Sequence, residues 1–135
     1  ETLSVLDLFA GTGSISLEFL SRGCLRVVSV EKDSRHFAFI RSMMAKLQDD
    51  ASAIFRMDVF RYMERSTEHF DLVFADPPYA LPELSEIPDR VFSSGLLKEG
   101  ALLILEHGKN LDFSAHPHFV EHRAYGSVNF SFFRK

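Results

Sequence analysis

Four groups of residues in this 135-residue chain have types and spacings that could do chemistry: Asp7 to Gly13 (DLFAGTG), Glu31-Lys32, Asp58-Val59, and Asp76-Pro77-Pro78-Tyr79. The tetrapeptide is the most specific of them. Two prolines, which lack N–H groups, make a rigid lip at the end of an apolar run. There the Asp76 carboxylate and the Pro77 carbonyl can both accept from an NH2 group, and Tyr79 can stack on the flat ring that bears it. In Gly11-Thr12-Gly13 the glycines permit a tight turn on which a ligand can lie against the main chain. The N–H groups of the helix start that follows favour electron-rich groups, so a nucleotide-like ligand is expected. The turn departs from the dinucleotide fingerprint because Ser16 stands at the third glycine position, and a ligand-free strand-to-helix turn is the alternative. Glu31 follows Gly11 by twenty residues, the distance at which a carboxylate meets both hydroxyls of a bound ribose; alone it reads equally as a solvated charge. Asp58 can accept from an exocyclic amine such as that of adenine, or cap the helix that starts at Val59.

Elements that could hold these groups follow from the apolar patterning. Strands are expected at Val5 to Phe9, Arg26 to Val30, Ala53 to Met57, Asp71 to Ala75 and Ala101 to Leu105. Between them come a helix capped by Ser14 with Ile15, Phe19 and Leu20 on its apolar face, and a longer one from Ser34 carrying Phe37, Ile40, Met44 and Leu47. A loop over Gln48 to Ser52, a brief helix from Val59, and a helix over Asp89 to Ser94 after a loop bracketed by Pro82 and Pro88 complete the series. Phe119 to Tyr125 and Val128 to Phe133, joined by Gly126-Ser127, read as an antiparallel pair. The sum is an α/β fold in a single domain over residues 1–135, a doubly wound, mostly parallel Rossmann-like sheet of about seven strands ending in an antiparallel strand pair. In such a sheet the ends of the parallel strands share one edge, which brings the four groups to a single cleft.

Composition narrows the class. The chain is 46% apolar and 25% charged, as in ordinary globular domains. Its net charge of −4 argues against holding nucleic acid by bulk electrostatics, so such a partner needs a local patch or another segment. Cys24 is the only cysteine, which excludes an internal disulfide. With no apolar run of the roughly 18 residues that span a bilayer and no secretory signal, a cytoplasmic location is expected. His116 and His118 flank Pro117 with no third ligand nearby, so no metal is expected; His36 and His107 read as surface groups. Arg22, Arg26, Arg61 and Arg65 read as solvated, and the phenylalanines as core, with Phe60 beside a motif the exception. The first strand opens so early that a lead-in segment is expected to be missing.

The succession LDLFAGTG, VEKD, MDVF and FADPPY resembles the class I methyltransferases that use S-adenosylmethionine, in the amino-methylating branch with its [DNS]-P-P-[YFW] motif. Within it, LDLFAGTGSISLEFLSRG, DLVFADPPY, LLILEHGK and YGSVNFSFFRK are most similar to the RsmD family, the guanine-N2 methyltransferases of bacterial small-subunit (16S) ribosomal RNA. The resemblance implies that Asp7, Phe9, Ala10, Gly11, Thr12 and Gly13 wrap the methionine part of the cofactor. It also implies that Glu31 takes the ribose hydroxyls, with Lys32 beside it among the cofactor-binding residues, that Asp58 and Val59 recognise adenine, and that Asp76, Pro77, Pro78 and Tyr79 hold the target guanine and form the catalytic group. The implied cofactor is S-adenosyl-L-methionine, and the implied partner is ribosomal RNA or the small ribosomal subunit, met by a monomer without metal or membrane attachment. Family members carry an arginine-rich N-terminal segment ahead of the first strand. The alternatives are a DNA adenine or other nucleic-acid N-methyltransferase, a nicotinamide-dependent oxidoreductase, against which Ser16 and the lip speak, and a non-catalytic binding module.

Overall fold

Strand runs such as VLDL, VVSV and LVFA are too uniformly apolar for a sheet with one wet face, and they occupy its centre. A computed structural model describes residues 3–47 and 50–135. The elements are β1 (Ser4–Leu8), α1 (Ser14–Ser21), β2 (Arg26–Val30), α2 (Ser34–Leu47), β3 (Ser52–Phe55), α3 (Val59–Arg65), β4 (Phe70–Ala75), α4 (Ile87–Ser94), β5 (Leu97–His107), β6 (Phe119–Tyr125) and β7 (Val128–Arg134). The sheet order is β3-β2-β1-β4-β5-β7-β6. The first five are parallel and β7 runs antiparallel between β5 and β6.

Alternation along the strands divides the core in two. Val5 and Val27 face Leu20 of α1 and Ile40 and Met44 of α2. Leu6, Leu8, Val28, Val30 and Val73 face the other way, onto Val59, Phe60 and Met63 of α3 and Ile87 and Val91 of α4. From β1 the chain crosses toward β2, and from β4 toward β5, so two adjacent strands send their connections in opposite directions. That divergence leaves an open crevice at their carboxyl ends.

The expected doubly wound sheet with its antiparallel pair is present, with local differences. Ser14 does not cap α1; it is the first helical residue, after Gly13 in the left-handed conformation (φ 82°) with no side-chain cap. A Cβ on Gly13 would lie 2.9 Å from Ile40 Cγ1, so glycine is required there by both φ and space. Ile15 and Phe19 are only half-buried, whereas Ser16 is fully buried. Its hydroxyl donates to Asp7 Oδ2 at 2.7 Å and meets Ser29 Oγ at 2.6 Å. The residue that breaks the glycine fingerprint is therefore the hydroxyl partner of a buried carboxyl. β3 stops at Phe55, leaving Met57 in the following loop. Pro88 does not bracket a loop; it lies in the first turn of α4, where its missing N–H has no intrahelical acceptor to lose. Gln48 and Asp49 of the expected loop lie outside the described residues.

His107 is not a surface group. β5 continues two residues past the expected end at Leu105, and alternation turns His107 into the core, where its Nε2 meets Ser131 Oγ at 2.7 Å and its Nδ1 meets the Gly108 carbonyl at 2.8 Å. Burial lowers its basicity. Arg26 is not simply solvated either: it forms a two-bond pair with Glu68, at 2.7 and 3.1 Å. His116 pairs with Asp89 at 2.9 Å, and His118 stacks on Phe92 with ring centres 4.2 Å apart. Among the described residues, no helix is long and apolar enough to cross a membrane.

Candidate active site

Between β1 and β2, where the chain leaves the sheet, two loops are tied together by one side chain. Glu31, the first residue past β2, accepts from the Gly11 N–H at 2.8 Å through Oε1 and from the Asp33 N–H at 2.8 Å through Oε2. The carboxylate is thereby fixed in orientation and keeps further lone pairs for a ligand. The Gly13 N–H donates to the Ala10 carbonyl at 2.8 Å. The Gly11 N–H is thus taken by Glu31 and the Gly13 N–H by the turn itself. Phe9 has φ 60°, the one non-glycine residue in that region among those described, a conformation costing on the order of 1–3 kcal/mol. It is held by the Ala10 N–H to the Val30 carbonyl at 3.1 Å and by an edge contact with Phe60.

These loops form one wall of a cleft of about 550 Å³ whose opposite wall is Asp76, Pro77, Pro78 and Tyr79. Of the predicted site residues, Phe9, Gly11, Glu31, Lys32, Asp58 and Val59 line it together with that tetrapeptide. Asp7, Ala10, Thr12 and Gly13 are not on its surface. Asp7 points beneath α1 to Ser16, and burial pushes its carboxyl up to about 7, against the lowering effect of the Ser16 hydrogen bond. Asp58 caps α3, accepting from the Arg61 N–H at 3.1 Å, while also standing at the rim, so its two sequence readings coexist. Val30, Met57, Val59 and Phe60 supply an apolar floor. Met57 adjoins a motif and could have been found from it; His36 and Glu83 also line the cleft and carried no signal.

At the lip, Asp76 and Tyr79 are exposed and Pro77 is buried. The loop closes on itself through the Leu81 N–H to the Pro78 carbonyl at 3.0 Å. Crowding by protein, then the nearby Glu106 carboxylate, pushes the Asp76 carboxyl up to about 6. The Tyr79 hydroxyl donates to Glu106 Oε2 at 2.9 Å, and loss of water followed by this bond pushes the phenol up to about 12. Carboxylates dominate the lining, with Glu31, Asp33, Asp58, Asp76 and Glu83 set against Lys32 and His36. Such a cleft suits a ligand with cationic groups, hydroxyls and a flat apolar ring, and is ill-suited to an anionic pyrophosphate.

Comparison with known proteins bears on the same fold. The Ribosomal RNA small subunit methyltransferase D of Buchnera aphidicola is 24% identical over 107 residues, covering 79% of this chain and 55% of that protein. The protein of the same name from Haemophilus influenzae is 29% identical over 109 residues, 78% of this chain and 56% of that one. The chain thus spans a little over half the length of these relatives. A solved structure from Streptococcus pyogenes, described as a conserved hypothetical protein, superposes with a TM-score of 0.85 at 28% identity, covering 100% of this chain and 87% of that one. A model of the family described as Conserved hypothetical protein 95 matches residues 1–134. From that match over nearly its whole length, the chain belongs to this family, the RsmD family that its motifs resemble.

Proposed function

We propose that the chain is the methyltransferase domain, over residues 1–135, of an S-adenosylmethionine-dependent enzyme that methylates the N2 amine of a guanine in small-subunit (16S) ribosomal RNA. The observation that carries this reading is the meeting, across one cleft, of a loop pair organised by Glu31 and a lip of Asp76, Pro77 and Tyr79. The residues present fit the cofactor. Glu31 can accept from ribose hydroxyls, Val59 and Phe60 offer a floor for adenine with Asp58 at its amine, and the acidic lining suits a sulfonium and an α-amino group. Bound there, S-adenosylmethionine supplies an electrophilic methyl group.

The protein's own part is alignment and charge stabilisation. Asp76 and the Pro77 carbonyl accept the N–H bonds of the target amine, whose lone pair is otherwise delocalised into its ring, and stabilise positive charge that develops on nitrogen. Tyr79 stacks on a base turned out of its neighbours, since an amine inside a helix cannot reach a walled cleft. The names of the relatives support ribosomal RNA as the substrate. The enzyme is proposed to act as a cytoplasmic monomer.

Calorimetry and methyl transfer test this reading together. S-adenosylhomocysteine is expected to bind while NAD does not, and radiolabelled methyl is expected to enter small-subunit RNA as N2-methylguanosine, with none entering DNA. Binding of NAD in place of S-adenosylhomocysteine, or methylation of DNA adenine alone, would overturn it.

A further inference from the structure

The lip has another member, Glu106, which falls within the LLILEHGK run but to which the sequence assigns no role. Parallel pairing sets Ala75 of β4 opposite Leu105 of β5, so the next residues, Asp76 just past the end of β4 and Glu106 still within β5, stand side by side. Glu106 lies near enough that its negative charge helps to raise the Asp76 carboxyl. Tyr79 donates to Glu106 Oε2 at 2.9 Å. Gly108 packs against the same ring, where a Cβ would lie 3.6 Å from Tyr79 Cδ2. Neither carboxylate has an ion-pair partner among the described residues.

Two carboxylates held this close repel, and both keep lone pairs after the tyrosine bond is made. A planar ligand with two neighbouring N–H donors relieves the repulsion and occupies those acceptors. The Watson–Crick edge of guanine has that pattern, N1–H beside the N2 amine, whereas the edge of adenine sets its amine beside a bare acceptor nitrogen. Resting on the function proposed above, we propose that Glu106 is a specificity-determining residue that accepts the N1–H of the target guanine while Asp76 and Pro77 hold its N2 amine. The Tyr79 bond then couples the group that stacks on the base to the group that reads it.

The test keeps the nucleophile and removes the N1 proton. The nucleotide methylated by the intact wild-type protein is mapped first; if none is found, the proposed function fails and not this assignment. That guanine is then replaced by 2,6-diaminopurine, which retains the 2-amine but presents N1 as an acceptor. Wild type is expected to prefer guanine in kcat/KM by about 100-fold, the scale of setting a lone pair against the carboxylate in place of a charge-assisted hydrogen bond to the base. In Glu106→Gln the amide N–H can donate to N1 while its carbonyl accepts from Tyr79, so the preference is expected to fall by at least about tenfold. Glu106→Ala, which removes the acceptor and the repulsion together without adding a donor, is expected to slow guanine methylation more than diaminopurine methylation, so that the preference falls here too. A wild-type ratio near one, or a ratio preserved in both variants, would overturn the assignment.

Discussion

Asp7 lies level with Phe74, two residues short of Asp76 on the neighbouring strand, and both carboxyls are pushed upward, for different reasons. Asp7 is fully buried, and desolvation outweighs the help of Ser16 to bring it to about 7 from an ordinary 3.8. Because the folded value lies above the unfolded one, the folded state holds its proton longer, and stability falls as pH rises between about 4 and 7. The penalty at pH 8 is on the order of a few kcal/mol. The melting temperature of wild type is expected to drop by several degrees from pH 5 to pH 8, and Asp7→Asn, which mimics the protonated form, is expected to flatten that profile in scanning calorimetry. A wild-type curve that rises over the range would show the ionised form to be the native one. At Asp76 the shift to about 6 has a functional sign: the acceptor is lost on protonation, so methylation is expected to fall as pH drops through about 6. Asp76→Ala should lower turnover by about 10²-fold or more with cofactor affinity nearly intact. Glu31→Ala should do the reverse, weakening cofactor binding in titration calorimetry while chemistry survives at saturation, since it removes both the ribose acceptors and the tie to the Gly11 N–H.

Among the elements, the β1-to-α1 turn is the most constrained by its backbone. Gly13→Ala must place a Cβ at φ 82° and 2.9 Å from Ile40 Cγ1, so urea denaturation is expected to show a loss of about 1–3 kcal/mol. Gly23→Ala has a similar φ of 78° with nothing within 4 Å, and its loss should be smaller. The contrast separates crowding from conformation. Elements of this kind were legible in the sequence where local pattern decides them: β2 lies where the β-branched run puts it, and α2 starts at Ser34 as its apolar spacing requires. Glu106 and His107 were not, since both are polar and extend β5 only because β7 pairs alongside them. The same holds in the site. Glu31 and the lip are visible as spacing and motif, while the strained Phe9, the inward turn of Asp7 and the contact of Glu106 with Tyr79 depend on register, which no single stretch carries.

At the scale of the whole molecule, β1 lies inside a sheet that is assembled out of chain order. It pairs with β2 soon after it, but its other neighbour is β4, and the Ser4 N–H reaches Asp71 Oδ2 across 67 residues at 2.8 Å. A fragment ending at Ser66 is expected to lack a cooperative thermal transition by circular dichroism, because β1 then has one bare edge and Leu6 and Leu8 lose the α4 side of their core. During synthesis the first strand leaves the ribosome several seconds before its second partner, at roughly 5–20 residues per second. The two walls of the cleft come from either side of that delay. A nascent chain therefore has nothing with which to capture a small molecule until the fourth strand docks, and ligand can stabilise only the finished product.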